Sequence, residues 1–427
     1  MADTTQTSED EFAKATDFSF RATDIEKAKS LVGFDSVSGL REQYTTASYD
    51  IIRNFARGYG DDNPLFVDED YGALTRWGDT IAPPMLGVGL NRPLHGDPVD
   101  RDHRFPSFRG IHVFVSGSSW DWYRPVYPGD SLYTFSGIES VQEKKSEFAE
   151  RSMIVVRRQV RMNQRAEVVA VARVLAIYTE RKTAREKGKY LSLEPAHYDD
   201  EGIAALDAIY AAERPRGAEI RYWDDVHVGD ELPRMAKGPF TLTDIIVFHA
   251  GGYGFTPYTP CANRIAYKNR MRIGPFYVKN DQGVPDVAQR VHWDSDWAKA
   301  IGNPMAYDYG VLRDCWLGHL LTDWMGDDGW LLRQHTEIRK FNYVGDSHVL
   351  TGEVVAKRIE DGQPVVDIEM RGTNQRGVVT CPGRATVALP SRETGPVVLP
   401  SPPDDLQRKA IQIMDRHGEL LAERRRG

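Results

Sequence analysis

Three stretches of this chain occur twice, in the same order, a little over 200 residues apart. TASYDIIRNFARGYG returns as TLTDIIVFHAGGYG, and PGDSLYTFSGIESV returns as VGDSHVLTGEVVAK. RMNQRAEVVAVARVLAIY then returns as GTNQRGVVTCPGRATVAL. Such self-similarity reports one structural unit used twice. A chain of 427 residues is also too long for one ordinary core, so two domains of roughly 150–200 residues each are expected.

The unit reads as a short helix, a loop, a longer helix and about four strands. Ile51, Ile52 and Phe55 recur at helical spacing in the first short helix. From about 108 to 178 the stretches GIHVFVSGSSW, DSLYTFSGIESV, RSMIVVRRQVRM and EVVAVARVLAIY are rich in Val, Ile and aromatics, and several alternate with polar residues. That is the pattern of half-buried antiparallel strands. In the second half YGVLRDCWLGHLLTDWMG puts Leu312, Trp316, Leu320 and Trp324 on one helical stripe, which reads as core. The fold class expected is α+β, with a helix laid on one face of an antiparallel sheet in each half.

The expected boundaries are an N-terminal extension over 1–36 and a first domain over 37–180. A linker with a helix occupies 181–219, a second domain 220–392 with an inserted loop at about 255–290, and a Pro-rich spacer with a final helix 393–427. Thr23 and Glu26 suggest a capping box for a helix in the extension. The net charge of −8 argues against nucleic acid or an anionic membrane as partner. Cys261, Cys315 and Cys381 are widely spaced, which excludes a disulfide framework and an obvious zinc site and fits a reducing compartment. With no apolar run of about 18 residues and a polar, acidic start, a cytoplasmic protein is expected.

FARGYGDDNPLFVDEDYGALTRWGDTIAPPML resembles the hydratase segment of MaoC-like proteins, the R-specific enoyl-CoA hydratases and acyl dehydratases with a hotdog fold. The resemblance rests on D-x-N-P after a short amphipathic helix and covers roughly 40–180 and 220–392. It implies two tandem hotdog domains joined as an intramolecular pseudo-dimer, each sheet wrapping a long helix. It also implies reversible addition of water across the 2,3 double bond of an enoyl-CoA. A His and an Asp would activate the water, and N–H groups at the central helix start would polarise the thioester carbonyl.

Neither copy keeps the family motif. Asp61, Asn63 and Pro64 match it, but Phe66 stands at the histidine position, so Asp61 and Asn63 read either as turn formers or as substrate-binding residues. In the second half Gly254, Thr256 and Thr259 stand where Asp, Asn and His belong. Beyond an insert, VHWDSDWAKAIGNPMAYDYGVL has the family's order of His, small helix, Gly, Pro and central helix. His292 is therefore the expected acid/base and Asp286, six residues earlier, its partner. Tyr309 and Gly310 are the expected thioester-binding helix start, and Asp294 is expected to cap a helix.

The resemblance requires no metal or redox cofactor, since CoA or phosphopantetheine arrives with the substrate. The expected partner is an acyl thioester, and a homodimer or partner subunit is open. A thioesterase on the same fold and a non-catalytic scaffold subunit are the competing readings.

Overall fold

The computed structural model describes residues 20–37, 44–108, 111–144, 151–179, 193–253 and 262–426. The 180–190 linker and Gly254, Thr256, Thr259 and Cys261 lie outside the described residues. In the first half, helix α1 (Ala22–Ser30) leads to strand β1 (Asp35–Val37), then to helices α2 (Tyr49–Gly58), α3 (Pro64–Val67) and α4 (Glu69–Leu74). The expected capping box is not formed, because α1 starts two residues early, on Arg21 with no side-chain cap. Strands β2 (His112–Trp122), β3 (Tyr133–Lys144), β4 (Ser152–Met162) and β5 (Val168–Thr179) complete this half.

Helix α5 (Asp200–Ala212) separates the halves. The second half runs through β6 (Met235–Lys237), α6 (Leu242–Phe248) and α7 (Asn263–Arg272) to a small hairpin of β7 (Tyr277–Lys279) and β8 (Pro285–Val287). Helices α8 (Ser295–Ala300) and α9 (Gly310–Met325) follow, then strands β9 (Trp330–Glu337), β10 (His348–Glu360), β11 (Gln363–Asn374) and β12 (Val379–Ala388). Helix α10 (Asp404–Arg426) closes the chain.

Ten strands form one sheet in the order β1-β3-β4-β5-β2-β9-β12-β11-β10-β6. The order reads the same from either edge once each strand is matched to its repeat, which is the expected double hotdog. The duplicated motifs are duplicated networks. Asn163 Oδ1 accepts from Arg165 and Glu167 N–H at 3.0 and 3.1 Å, and Asn374 Oδ1 accepts from Arg376 and Val378 N–H at 3.0 Å. Gln164 bridges Ser131 N and Asp130, and Gln375 bridges Ser347 N and Asp346 in the same way. Each repeat thus ties the turn after one strand pair to the turn before it.

The halves meet where β2 pairs with β9 from Gly117↔Glu337 to Asp121↔Arg333. A Cβ on Gly117 would stand 2.4 Å from the Thr336 carbonyl oxygen, so only glycine lets the two backbones approach this closely. Side chains cross the seam as well: Ser118 Oγ donates to Asp314 at 2.9 Å, and Ser119 Oγ lies 2.7 Å from His335 Nδ1. Helix α10 crosses back to bury Leu406 and Ala410 against β3, β4 and β5 of the first half.

Helix α9 is buried from Leu312 to Met325 on every face, with the predicted stripe in the core. Among the described residues the first half has no such helix, which corrects the expectation of a long helix in each sheet. At the matching place the chain makes only the five-residue 3-10 turn Pro84–Val88. Pro83 and Pro84 bring no backbone N–H, and Gly87 and Gly89 weaken any continuation. Replacing Gly117 by Val should push the two central strands apart. The expected loss is about 1–3 kcal/mol, read as a lower urea midpoint with the far-UV spectrum retained.

Candidate functional site

Two buried polar constellations flank α9, one at its N-terminal end and one further along. The N-terminal end is fixed by a buried ion pair. Asp308 accepts from Arg313 Nη2 at 3.0 Å and from Asn342 Nδ2 at 3.0 Å, and its second oxygen pairs with the guanidinium charge, 2.9 Å from Arg313 Nε. Arg313 Nη1 also donates to the Lys340 carbonyl at 2.6 Å. Tyr309 sits at the N-cap and provides no side-chain cap, so the first N–H groups of α9, beginning at Gly310, face outward with the positive end of the helix dipole.

His292 ends the short turn Ala288–His292 and stacks on Tyr309, ring centroids 3.8 Å apart. Its Nδ1 lies 2.8 Å from the Tyr307 carbonyl oxygen. A carbonyl only accepts, so Nδ1 carries the proton and Nε2 keeps its lone pair. Burial pulls the His292 pKa down to about 4, so the ring is neutral at ordinary pH. His249 lies against the same Tyr309 at 5.2 Å, and burial likewise lowers it to about 4. The Tyr309 hydroxyl accepts from Gln289 Nε2 at 2.8 Å.

Asp286 does not join this group, which corrects the expected pair. It lies in β8 opposite Val278, and its Oδ1 turns back to the Val287 N–H at 2.7 Å. The hairpin spends the six-residue spacing as strand and turn. Among the described residues no carboxylate stands within 4.0 Å of the His292 ring. Asp294 does cap α8, accepting from Trp297 N–H at 2.9 Å.

The second constellation gathers around Asp61. Its Oδ1 accepts from Asn63 N–H at 3.0 Å and its Oδ2 from the Tyr59 hydroxyl at 2.9 Å, while Asn63 Oδ1 caps α3 through Leu65 N–H. The turn-forming role therefore holds for both residues. Asp61 also faces His319, whose Nε2 is 3.5 Å from Asp61, 3.4 Å from Asp323 and 3.7 Å from Glu213. On the other side of that ring Lys237 Nζ lies 2.7 Å from Nδ1. Burial raises all three carboxyls, Asp323 to about 7, lowers Lys237, and takes His319 to about 3.

Asp61, His319 and Asp323 are spaced as cation ligands are, within 4.8 Å of one another. A Lys237 ammonium donating to Nδ1, however, leaves the ring proton on Nε2 toward the carboxylates, and supplies the positive charge itself. Sequence reading missed this cluster. Its trace was the i, i+4 spacing of His319 and Asp323 on a helix that had to be buried.

In the space left by the missing helix the first half opens a cleft of about 730 Å³, continuous in part with solvent. Phe66, Pro84, Trp120, Trp122, Ala170 and Trp330 make most of its wall apolar, and Asn63 and Thr322 join it to the Asp61 cluster. Thr322 and Met325 place the cleft toward the C-terminal end of α9, about 20 Å along the helix from Gly310 at 1.5 Å per residue.

Residues 31–172 match the family model described as FAS1-like, dehydratase domain region. The chain is 26% identical over 160 residues to a probable enoyl-CoA hydratase alpha subunit of Thermomonospora curvata, a match covering 34% of this chain and 49% of that protein. The chain thus spans about half the length of this curated relative. A solved MaoC-like dehydratase superposes with a TM-score of 0.57 at 15% identity, over 84% of this chain and 99% of that one. A putative MaoC domain protein dehydratase from Chloroflexus aurantiacus gives 0.50 at 12% identity, over 84% and 96%. These likenesses show the double-hotdog fold.

Replacing Arg313 by Met would strand the buried Asp308. The expected cost is about 3–5 kcal/mol, measured by chemical denaturation, and the Asp308→Asn, Arg313→Met pair should recover part of it.

Proposed function

We propose that this double-hotdog chain, similar over residues 31–172 to FAS1-like dehydratases, catalyses reversible hydration of an enoyl thioester at the N-terminal end of α9. The supporting observation is the His292 ring, neutral, fixed in tautomer by the Tyr307 carbonyl and set beside an uncapped helix start. Nε2 takes a proton from water as the oxygen bonds to C3. The thioester oxygen gains enolate charge, which the outward N–H groups at Gly310 stabilise. Collapse of the enolate takes the same proton back from His292 at C2, so one ring serves as base and then acid. CoA or phosphopantetheine is part of the substrate, and no further cofactor enters the step.

The first copy is unfit for this reaction on two counts. Phe66 cannot carry a proton, and Pro84 has no N–H at the start of its turn. Its cleft instead offers room for the distal part of a long or bulky acyl group, since an apolar wall of aromatic side chains favours hydrocarbon.

His292→Ala should lower kcat for enoyl-CoA hydration by about 10²–10⁴-fold, read by loss of the conjugated thioester absorbance. An unchanged rate would remove the assignment, and release of free thiol in place of a 3-hydroxyacyl thioester would indicate a thioesterase. Because His292 must be neutral to act as base and titrates at about 4, kcat/KM should hold from neutral pH down through 6 and fall only as pH passes about 4. Ala170→Leu narrows the cleft and should raise KM for long-chain substrates while sparing short ones.

A further inference from the structure

Arg161, on β4, lies in the wall of the first-half cleft and is 4% exposed. Its guanidinium lies over Trp120 at 5.4 Å and donates once, from Nη2 to Gln159 Oε1 at 3.0 Å. Its Nε is buried with no hydrogen-bond partner. Among the described residues no carboxylate comes within 4.0 Å of it, whereas the buried Arg313 is paired with Asp308. Gly87 leaves room for the side chain, since a Cβ there would stand 3.0 Å from Arg161 Cδ. Guanidinium keeps its proton even when buried, so the charge cannot be relieved by titration. A buried cation with no anion is costly to the empty protein. An anion arriving with the ligand would remove that cost, and the guanidinium fork matches the two oxygens of a carboxylate.

Resting on the hydratase reading above, we propose that the cleft takes an acyl group with a carboxylate at its distal end, held by Arg161. The substrate class is then the monothioester of a dicarboxylic acid. The thioester lies at His292 and the free carboxylate in the cleft some way along α9.

The test compares two enoyl-CoA thioesters of equal chain length, one ending in methyl and one in carboxylate, with the full chain. The wild type should favour the carboxylate by about 10–100-fold in kcat/KM, the range of a hydrogen bond to a charged group. Arg161→Met should erase that preference by lowering kcat/KM for the carboxylated substrate far more than for the methyl-ended one, and Arg161→Lys should retain part of it. The Met variant should melt no lower than the wild type, because it removes an unpaired charge; a structural role would lower its Tm. Calorimetric binding of the saturated dicarboxylic monothioester to His292→Ala separates the two readings. Arg161-dependent binding there supports the cleft assignment even if no hydration is found. Equal treatment of the two tails by the wild type, or equal loss of both in Arg161→Met, overturns it.

Discussion

The pairing of β2 with β9 is the contact from which the other features follow. Two five-stranded halves each end in an edge strand with unpaired backbone groups, and the ladder from Gly117 to Asp121 satisfies both edges at once. The joined sheet has one continuous face for α9 to cover, and α9 packs on β2 as well as on β9, β10 and β12. Ser118 of the first half then reaches Asp314 of that helix. A helix encoded in the second half is in this way core to both.

That sharing explains why the first half can lack a helix of its own. Its hydrophobic face is partly covered by α9 and, elsewhere, by α10. What remains uncovered is the cleft behind Pro83 and Pro84. The same two prolines that stop the helix also remove the N–H donors a thioester would need. Loss of chemistry and gain of volume at this copy therefore have one cause. Asp61 stays because it still holds the Tyr59 hydroxyl, the Asn63 turn and the charge balance around His319 and Lys237.

The double-hotdog plan was legible because its signals are local and repeated: strand alternation, the stripe on α9, and the Asp-Ser and Asn-Gln-Arg turns that carry the same hydrogen bonds twice. The D-x-N-P aspartate and asparagine were legible as turn formers for the same reason. Pro83-Pro84 carries the local trace of the missing helix, against the long helix that the family resemblance implies. Asp286 was misplaced because a spacing of six says nothing about direction once a hairpin intervenes. The meeting of Lys237 with His319 joins an edge strand to the central helix 82 residues on, and no periodicity carries information of that kind.

Buried charge divides structure from site along these lines. Asp308 and Arg313 neutralise each other and hold the start of α9 still, so their cost is offset within the fold. Asp61, Asp323, Glu213 and Lys237 reach the same end collectively through one imidazole, with every pKa moved toward the neutral form by desolvation. In both arrangements the charges face opposite charges supplied by the protein itself. His292 and Arg161 differ from these: one is half-buried with its tautomer set, the other is a permanent cation that faces no carboxylate among the described residues. They lie toward opposite ends of the same helix, and a molecule long enough to touch both would complete what the protein leaves unfinished at each.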